Sequence, residues 1–115
     1  MKITINYIPP NWNEYINAER STFYKANKIK QQEKKIVKMS CIGKKYTDGY
    51  PIELIISPHF KNKRQDLDNT RYKGLIDGLV DSGVIENDNL TKIQRITLEP
   101  IFDKNEQIDI EIKKL

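Results

Sequence analysis

With 115 residues, 37% hydrophobic and 31% charged, the chain can bury one modest core and has no room for a second domain. No apolar run nears the ~18–20 residues that cross a bilayer, and Met1–Pro10 lacks the layout of a signal peptide. Twenty Lys and Arg against 16 Asp and Glu give +4, and the single Cys41 excludes an internal disulfide or a Cys-rich zinc framework, so the expectation is one domain over 1–115, cytoplasmic and away from membranes.

Lys2 to Ile8 alternates polar and apolar, the period of a half-buried strand, and Pro9-Pro10 stops it. Trp12 to Met39 holds no proline or glycine, and Tyr15, Ile16, Phe23, Tyr24, Ile29, Ile36 and Val37 recur at helical spacing. This reads as one long helix or two in sequence, breaking near Ser21-Thr22, with Trp12, Phe23 and Tyr24 as core residues. Cys41 to Gly49 is a loop, with Cys41 itself a partly buried small hydrophobe. Tyr50 to Ser57 is a strand ended by Pro58, and Pro58 to Gln65 is a polar, basic loop.

Asp68 or Asn69 then caps a helix over Thr70–Asp81. Tyr72, Leu75, Ile76, Leu79 and Val80 fall on one side of it and Lys73, Asp77 and Asp81 on another; Ser82-Gly83 ends it. Lys92–Glu99 and Gln107–Lys113 are two strands joined by Pro100–Glu106. Strands mixed with helices in this order point to an α+β domain, a small mixed or antiparallel sheet of about four strands covered by helices.

Charge is unevenly spread. Arg20 to Lys45 carries nine basic residues against one acid, Glu33, whereas Asp66 to Asp88 carries six acids against two bases. A basic stretch beside an acidic one suits a protein that binds a polyanion and also holds cations. In an extended segment, Asp66 and Asp68 would share a face and could converge on one cation, for which carboxylate oxygens favour Mg²⁺ or Mn²⁺. A 12-residue helix is ~18 Å long and the seven residues Ser82–Asp88 reach at most ~23 Å, so the chain is long enough to return Asp88 to the helix start. Three carboxylates beside Lys73 would make a metal-assisted phosphoryl-transfer site, the lysine neutralising phosphate charge or steadying the leaving group.

The run Arg64-Gln65-Asp66-Leu67-Asp68-Asn69, then Lys73-Gly74-Leu75-Ile76-Asp77-Gly78-Leu79, then Gly83-Val84-Ile85-Glu86-Asn87-Asp88 resembles the RusA family of Holliday-junction resolvases. The likeness is sharp over Lys63–Asp88 and looser elsewhere. It implies a homodimeric, Mg²⁺-dependent endonuclease of bacterial or phage-infected cells that acts on branched DNA. It further implies that Asp66, Asp68 and Asp88 bind metal and that Lys73 is catalytic. Asn69 and Lys73 are one residue further apart than in the family pattern, which would turn the lysine by about 100° on a running helix and leaves Arg71 as an alternative. Asn87 stands where an acid often precedes the last aspartate, its amide oxygen still able to ligate; Asp77 either pairs with Lys73 or touches metal.

Lys61, Lys63, Arg64 and Arg71 are the expected DNA contacts, since a phosphate reaching the acids passes them. Lys25, Lys28, Lys35, Lys38, Lys44 and Lys45 follow the nucleic-acid backbone or form a solvated helix face. His59 reads as a surface residue or phosphate contact, and Phe60 as a side chain able to stack on bases. The expected activity is paired nicking of four-way junctions; the alternatives are an inactive branched-nucleic-acid-binding protein of the same fold, or a nuclease for flaps, forks or RNA.

Overall fold

Alternation at the start of the chain gives strand β1 (Lys2–Ile5), with Ile3 and Ile5 buried and Lys2 and Thr4 exposed. The computed structural model describes the backbone of residues 1–115 and every side chain except that of Phe23, so the expectation for Phe23 lies outside the described side chains. Two helices follow, α1 (Trp12–Ser21) and α2 (Phe23–Ser40). Thr22 divides them in extended backbone: its amide donates to the Ala18 carbonyl to close α1, and its hydroxyl accepts the Lys25 amide at 3.0 Å to open α2. The break near Ser21-Thr22 thus resolves into two helices.

Two aromatics expected in the core are not there. Trp12 is 42% exposed and Tyr24 is 74% exposed. Trp12 opens α1, where its ring covers the Arg71 guanidinium instead of the sheet, and Tyr24 stands on the outer side of α2 beside Lys28. The inward positions of the two helices are Tyr15, Ala26, Glu33 and Val37. Cys41 is fully buried, and burial pushes its thiol pKa up.

β2 (Ile52–Phe60) runs straight through Pro58, three residues past its expected end. The Ile52 amide points toward β3, to the Lys92 carbonyl, and the His59 amide toward β5, to the Gln107 carbonyl. By that alternation the N–H that Pro58 lacks would face the side where β3 gives way to β4, so no ladder bond is lost.

After β2, a 3₁₀ turn at Leu67–Asn69 and a non-helical stretch at Thr70–Tyr72, extended at Thr70, precede α3 (Lys73–Asp81). The helix therefore starts three residues later than expected, and Asp68 and Asn69 do not cap it. Arg71 supplies the reason. Its side chain is tied to Glu33 and to the Pro10 carbonyl, and Thr70 stays extended to let it reach them. No side chain caps α3. A cap is worth about 1 kcal/mol, whereas burying Leu75, Ile76 and Leu79 contributes about 1.5–3 kcal/mol each. Packing holds this helix.

β3 (Ile93–Leu98), β4 (Ile101–Phe102) and β5 (Ile108–Lys114) complete the chain. The connector expected between the last two strands holds β4, which continues the parallel edge of β2 (His59↔Ile101, Phe60↔Phe102). The sheet order is β1-β5-β2-β3; β1/β5 and β5/β2 are antiparallel and β2/β3 is parallel through the α3 crossover. The fold is α+β, with a mixed sheet of five strands. One face of the sheet presents Ile3, Ile5, Ile52, Leu54, Ile56, Ile108, Ile110 and Ile112 to α2 and α3, which add Val37, Leu75 and Leu79. The helices approach closely where Gly78 meets Val37: a Cβ on Gly78 would lie 2.6 Å from a Val37 methyl. Among the described residues no helix is long and apolar enough to cross a membrane.

Candidate nucleic-acid interface and acidic segment

Beyond Phe60 the chain leaves the sheet as an exposed basic loop. Lys61 pairs with Glu106 at 3.1 Å, the Asn62 side chain accepts the Arg64 amide at 2.9 Å to fold a turn, and Lys63 lies over the Phe102 ring at 5.4 Å. Lys61, Lys63 and Arg64 are all exposed and stand directly before Asp66.

The same-face argument for Asp66 and Asp68 required extended backbone through both. Asp66 is extended, but Leu67–Asn69 is a 3₁₀ turn in which the Asn69 amide donates to the Asp66 carbonyl at 3.1 Å. Period three aligns residue 66 with 69. Accordingly Asp66 and Asn69 line one small pocket against Pro58, Phe60 and Arg71, and Asp68 does not line it. Asp68 is exposed.

Lys73 is the first residue of α3 and exposed, with its ammonium 3.3 Å from Asp77, one turn on. Of the two roles open to Asp77, the geometry shows the i,i+4 ion pair. The extra residue between Asn69 and Lys73 falls in non-helical backbone, so the expected 100° rotation does not arise.

Asp88 requires a correction. Within one chain it does not return to the start of α3. Residues after Gly83 instead lead into β3, where the Asn89 carbonyl accepts the Ile93 amide and Ile93 pairs with Ile52. Asp88 thus sits at the Ile52 end of β2 and Asp66 at the Phe60 end, separated by a nine-residue strand about 26 Å long. Among the described residues no group of three His, Cys, Asp or Glu side chains is placed to hold a metal ion. Asp66, Asp68 and Asp88 are thus not gathered within one chain as the expectation required. Asn87 is already engaged, its side-chain oxygen accepting the Asn89 amide at 3.0 Å.

Arg71 also moves to a new role. It is 8% exposed, and its guanidinium donates to both oxygens of Glu33 (2.6 and 3.4 Å) and to the Pro10 carbonyl (3.1 Å). It stacks on Tyr15 at 4.0 Å. A planar fork so held is a brace between the acidic segment and α2, not a DNA contact. Glu33, 2% exposed, is the one acid in the basic run of α2, and that isolation in sequence was the signal for a buried partner.

His59 is likewise internal, at 7% exposure. Nδ1 lies 2.9 Å from both carboxylate oxygens of Asp103, and Nε2 lies 2.8 Å from Asp109. Burial works to lower its pKa, but the hydrogen bonds to Asp109 and Asp103 outweigh burial and leave it raised. Both partners are held low: Asp103 chiefly by its hydrogen bond to His59, and Asp109 by His59, Thr4 and Gln107 against the opposing effect of burial. A doubly protonated ring that donates at both nitrogens fits this geometry. His59 locks the β4 turn to β5 and is no phosphate contact. Sequence reading missed Asp103 and Asp109, because contact between strands that far apart leaves no local pattern.

No protein-family model matches the chain, and no curated protein matches it.

Proposed function

We propose that this chain is a structure-selective endodeoxyribonuclease of the RusA type, acting as a homodimer on four-way DNA junctions with Mg²⁺, for which Mn²⁺ can substitute. The ordered series of acids, lysine and glycines from Arg64 to Asp88 supports the reading. The observation that carries it is the placement of Asp66 and Asp68 in an exposed segment between the cationic Lys61-Lys63-Arg64 loop and Lys73, braced from behind by Arg71 and Glu33.

In this reading Lys61, Lys63 and Arg64 bind the DNA backbone, and their phosphate contacts make affinity fall steeply with salt. Lys73, oriented by Asp77, neutralises charge on the scissile phosphate. A divalent ion, when bound, supplies Lewis-acid polarisation of that phosphate. One chain holds the acids at two ends of β2, so the third carboxylate comes from Asp88 of a second copy. Pairing two copies also matches the two-fold symmetry of a junction that needs two cuts.

A second reading is a branched-DNA-binding protein without catalysis, favoured by the dispersal of the acids within one chain and by Asn87 being committed to Asn89. Incubation with synthetic four-way junctions and Mg²⁺ separates the two. The nuclease gives symmetric nicks that vanish in Asp68→Asn while the gel shift persists. A gel shift without nicks at any Mg²⁺ or Mn²⁺ concentration establishes the binding protein.

A further inference from the structure

Phe102 is 52% exposed, on a two-residue strand whose neighbour Ile101 is also exposed. Its ring lies 6.5 Å from that of Phe60, tilted by 38°, with the Lys63 ammonium 5.4 Å above it. Parallel pairing of Phe60 with Phe102 sets this pair beside the strand end from which the basic loop and Asp66 depart. The turn that follows is fixed from below, since Asp103 donates its amide to the Phe60 carbonyl and accepts from His59. The ring is thus held in place, open to water on one side and with the Lys63 cation over it.

We infer that Phe102, backed by Phe60, is a stacking platform for an unpaired base of single-stranded or branched DNA. Charge selects this occupant: the Lys63 ammonium lies over the Phe102 ring, and the exposed basic segment Lys61–Arg64 follows directly on Phe60, which suits the phosphates on either side of a stacked base. The exposed apolar area of Ile101 and Phe102, on the order of 100–200 Å², is the size of one stacked base and small beside the roughly 800 Å² per partner of a stable protein interface. The inference rests on the nucleic-acid reading of the basic loop and deepens it, adding a contact to bases that carries no dependence on the acids.

The test compares a single-stranded oligonucleotide with a fully paired duplex of the same sequence, and uses four-way junctions carrying 2-aminopurine at the branch point. Phe102→Ala weakens single-strand binding about tenfold and abolishes the 2-aminopurine fluorescence change, with duplex affinity altered less than about twofold. Phe102→Tyr retains wild-type behaviour, and Phe102→Leu, which keeps apolar bulk but no π face, behaves as the alanine variant. Equal losses on both substrates, or a leucine variant that binds like wild type, would overturn stacking. Should the wild-type protein bind neither oligonucleotide nor junction, the nucleic-acid reading itself fails, a result separable from indifference to Phe102.

Discussion

At the Phe60 end of β2 lie buried groups with charged partners: Arg71 with Glu33, and His59 with the partly exposed Asp103 and Asp109. At the Ile52 end the acids stay in solvent, with Asp88 in a loop shaped by the Asn87 and Asn89 side chains and with Glu86 paired to Lys92 at 2.9 Å. Burying a charge costs several kcal/mol unless its partner is well placed, so at the first end separating Arg71 from Glu33 is costly. The exposed acids at the second end carry no such cost. Under the proposed function, a braced segment suits positioning of a phosphate, and an exposed acid suits a contribution to a second copy.

The brace is where the contrast breaks most severely. Arg71→Ala leaves the Glu33 carboxylate buried and alone, for an expected loss of about 3–5 kcal/mol in urea denaturation. Replacing both residues by methionine restores most of that loss. Were Arg71 a DNA contact, its removal would spare stability and reduce only DNA affinity. Next in size is Gly78→Ala, whose Cβ would meet Val37 at 2.6 Å; overpacking costs about 1–3 kcal/mol in thermal or urea unfolding, and Val37→Ala in the same chain relieves it.

His59 gives a pH signature at the same end of β2. Its folded pKa is raised, so its contribution is complete below the unfolded value of about 6.5 and disappears as pH rises through the higher folded value. Asp103 and Asp109 are lowered, so theirs is present above about 3.9 and disappears as pH falls through the lower folded values. Urea denaturation at pH 6 and pH 9 should show His59→Gln much less stable than wild type at pH 6 and closer to it at pH 9. A gap that is constant with pH would mean the ring is neutral throughout.

The smallest effect on the fold is expected at the exposed loop. Lys63→Ala or Arg64→Ala changes stability by less than about 0.5 kcal/mol. Each instead weakens DNA binding at all sequences and lowers the salt slope by about 1, measured by titration at several salt concentrations.

Much of the frame was legible because it is written in short-range periods. The alternation of Ile108, Ile110 and Ile112, the stripe of Leu75, Ile76 and Leu79, and the Thr22 hydroxyl each declare a strand, a helix face or a cap within a few residues. Pro58 misled because whether a proline stops a strand depends on the neighbour its nitrogen faces, here a junction between β3 and β4. The start of α3 misled for a related reason: the Arg71–Glu33 pair joins residues 38 apart and overrides a good local cap at Asp68. In the acidic site, Lys73 with Asp77 could be read from helical spacing. The place of Asp88 could not, since a reach of ~23 Å allows both a return to α3 and entry into a new strand, and the β2–β3 pairing decides between them.

Mixing two inactive variants tests the assembly of the acids most directly. Asp68→Asn and Asp88→Asn are each expected to bind four-way junctions without nicking them. After the two are unfolded together and refolded, heterodimers in which one copy supplies Asp66 and Asp68 and the other supplies Asp88 regain a single working site, so junctions are nicked on one strand. If the mixture stays as inactive as its components while wild type cuts under the same conditions, the acids do not meet across two copies, and the account is wrong.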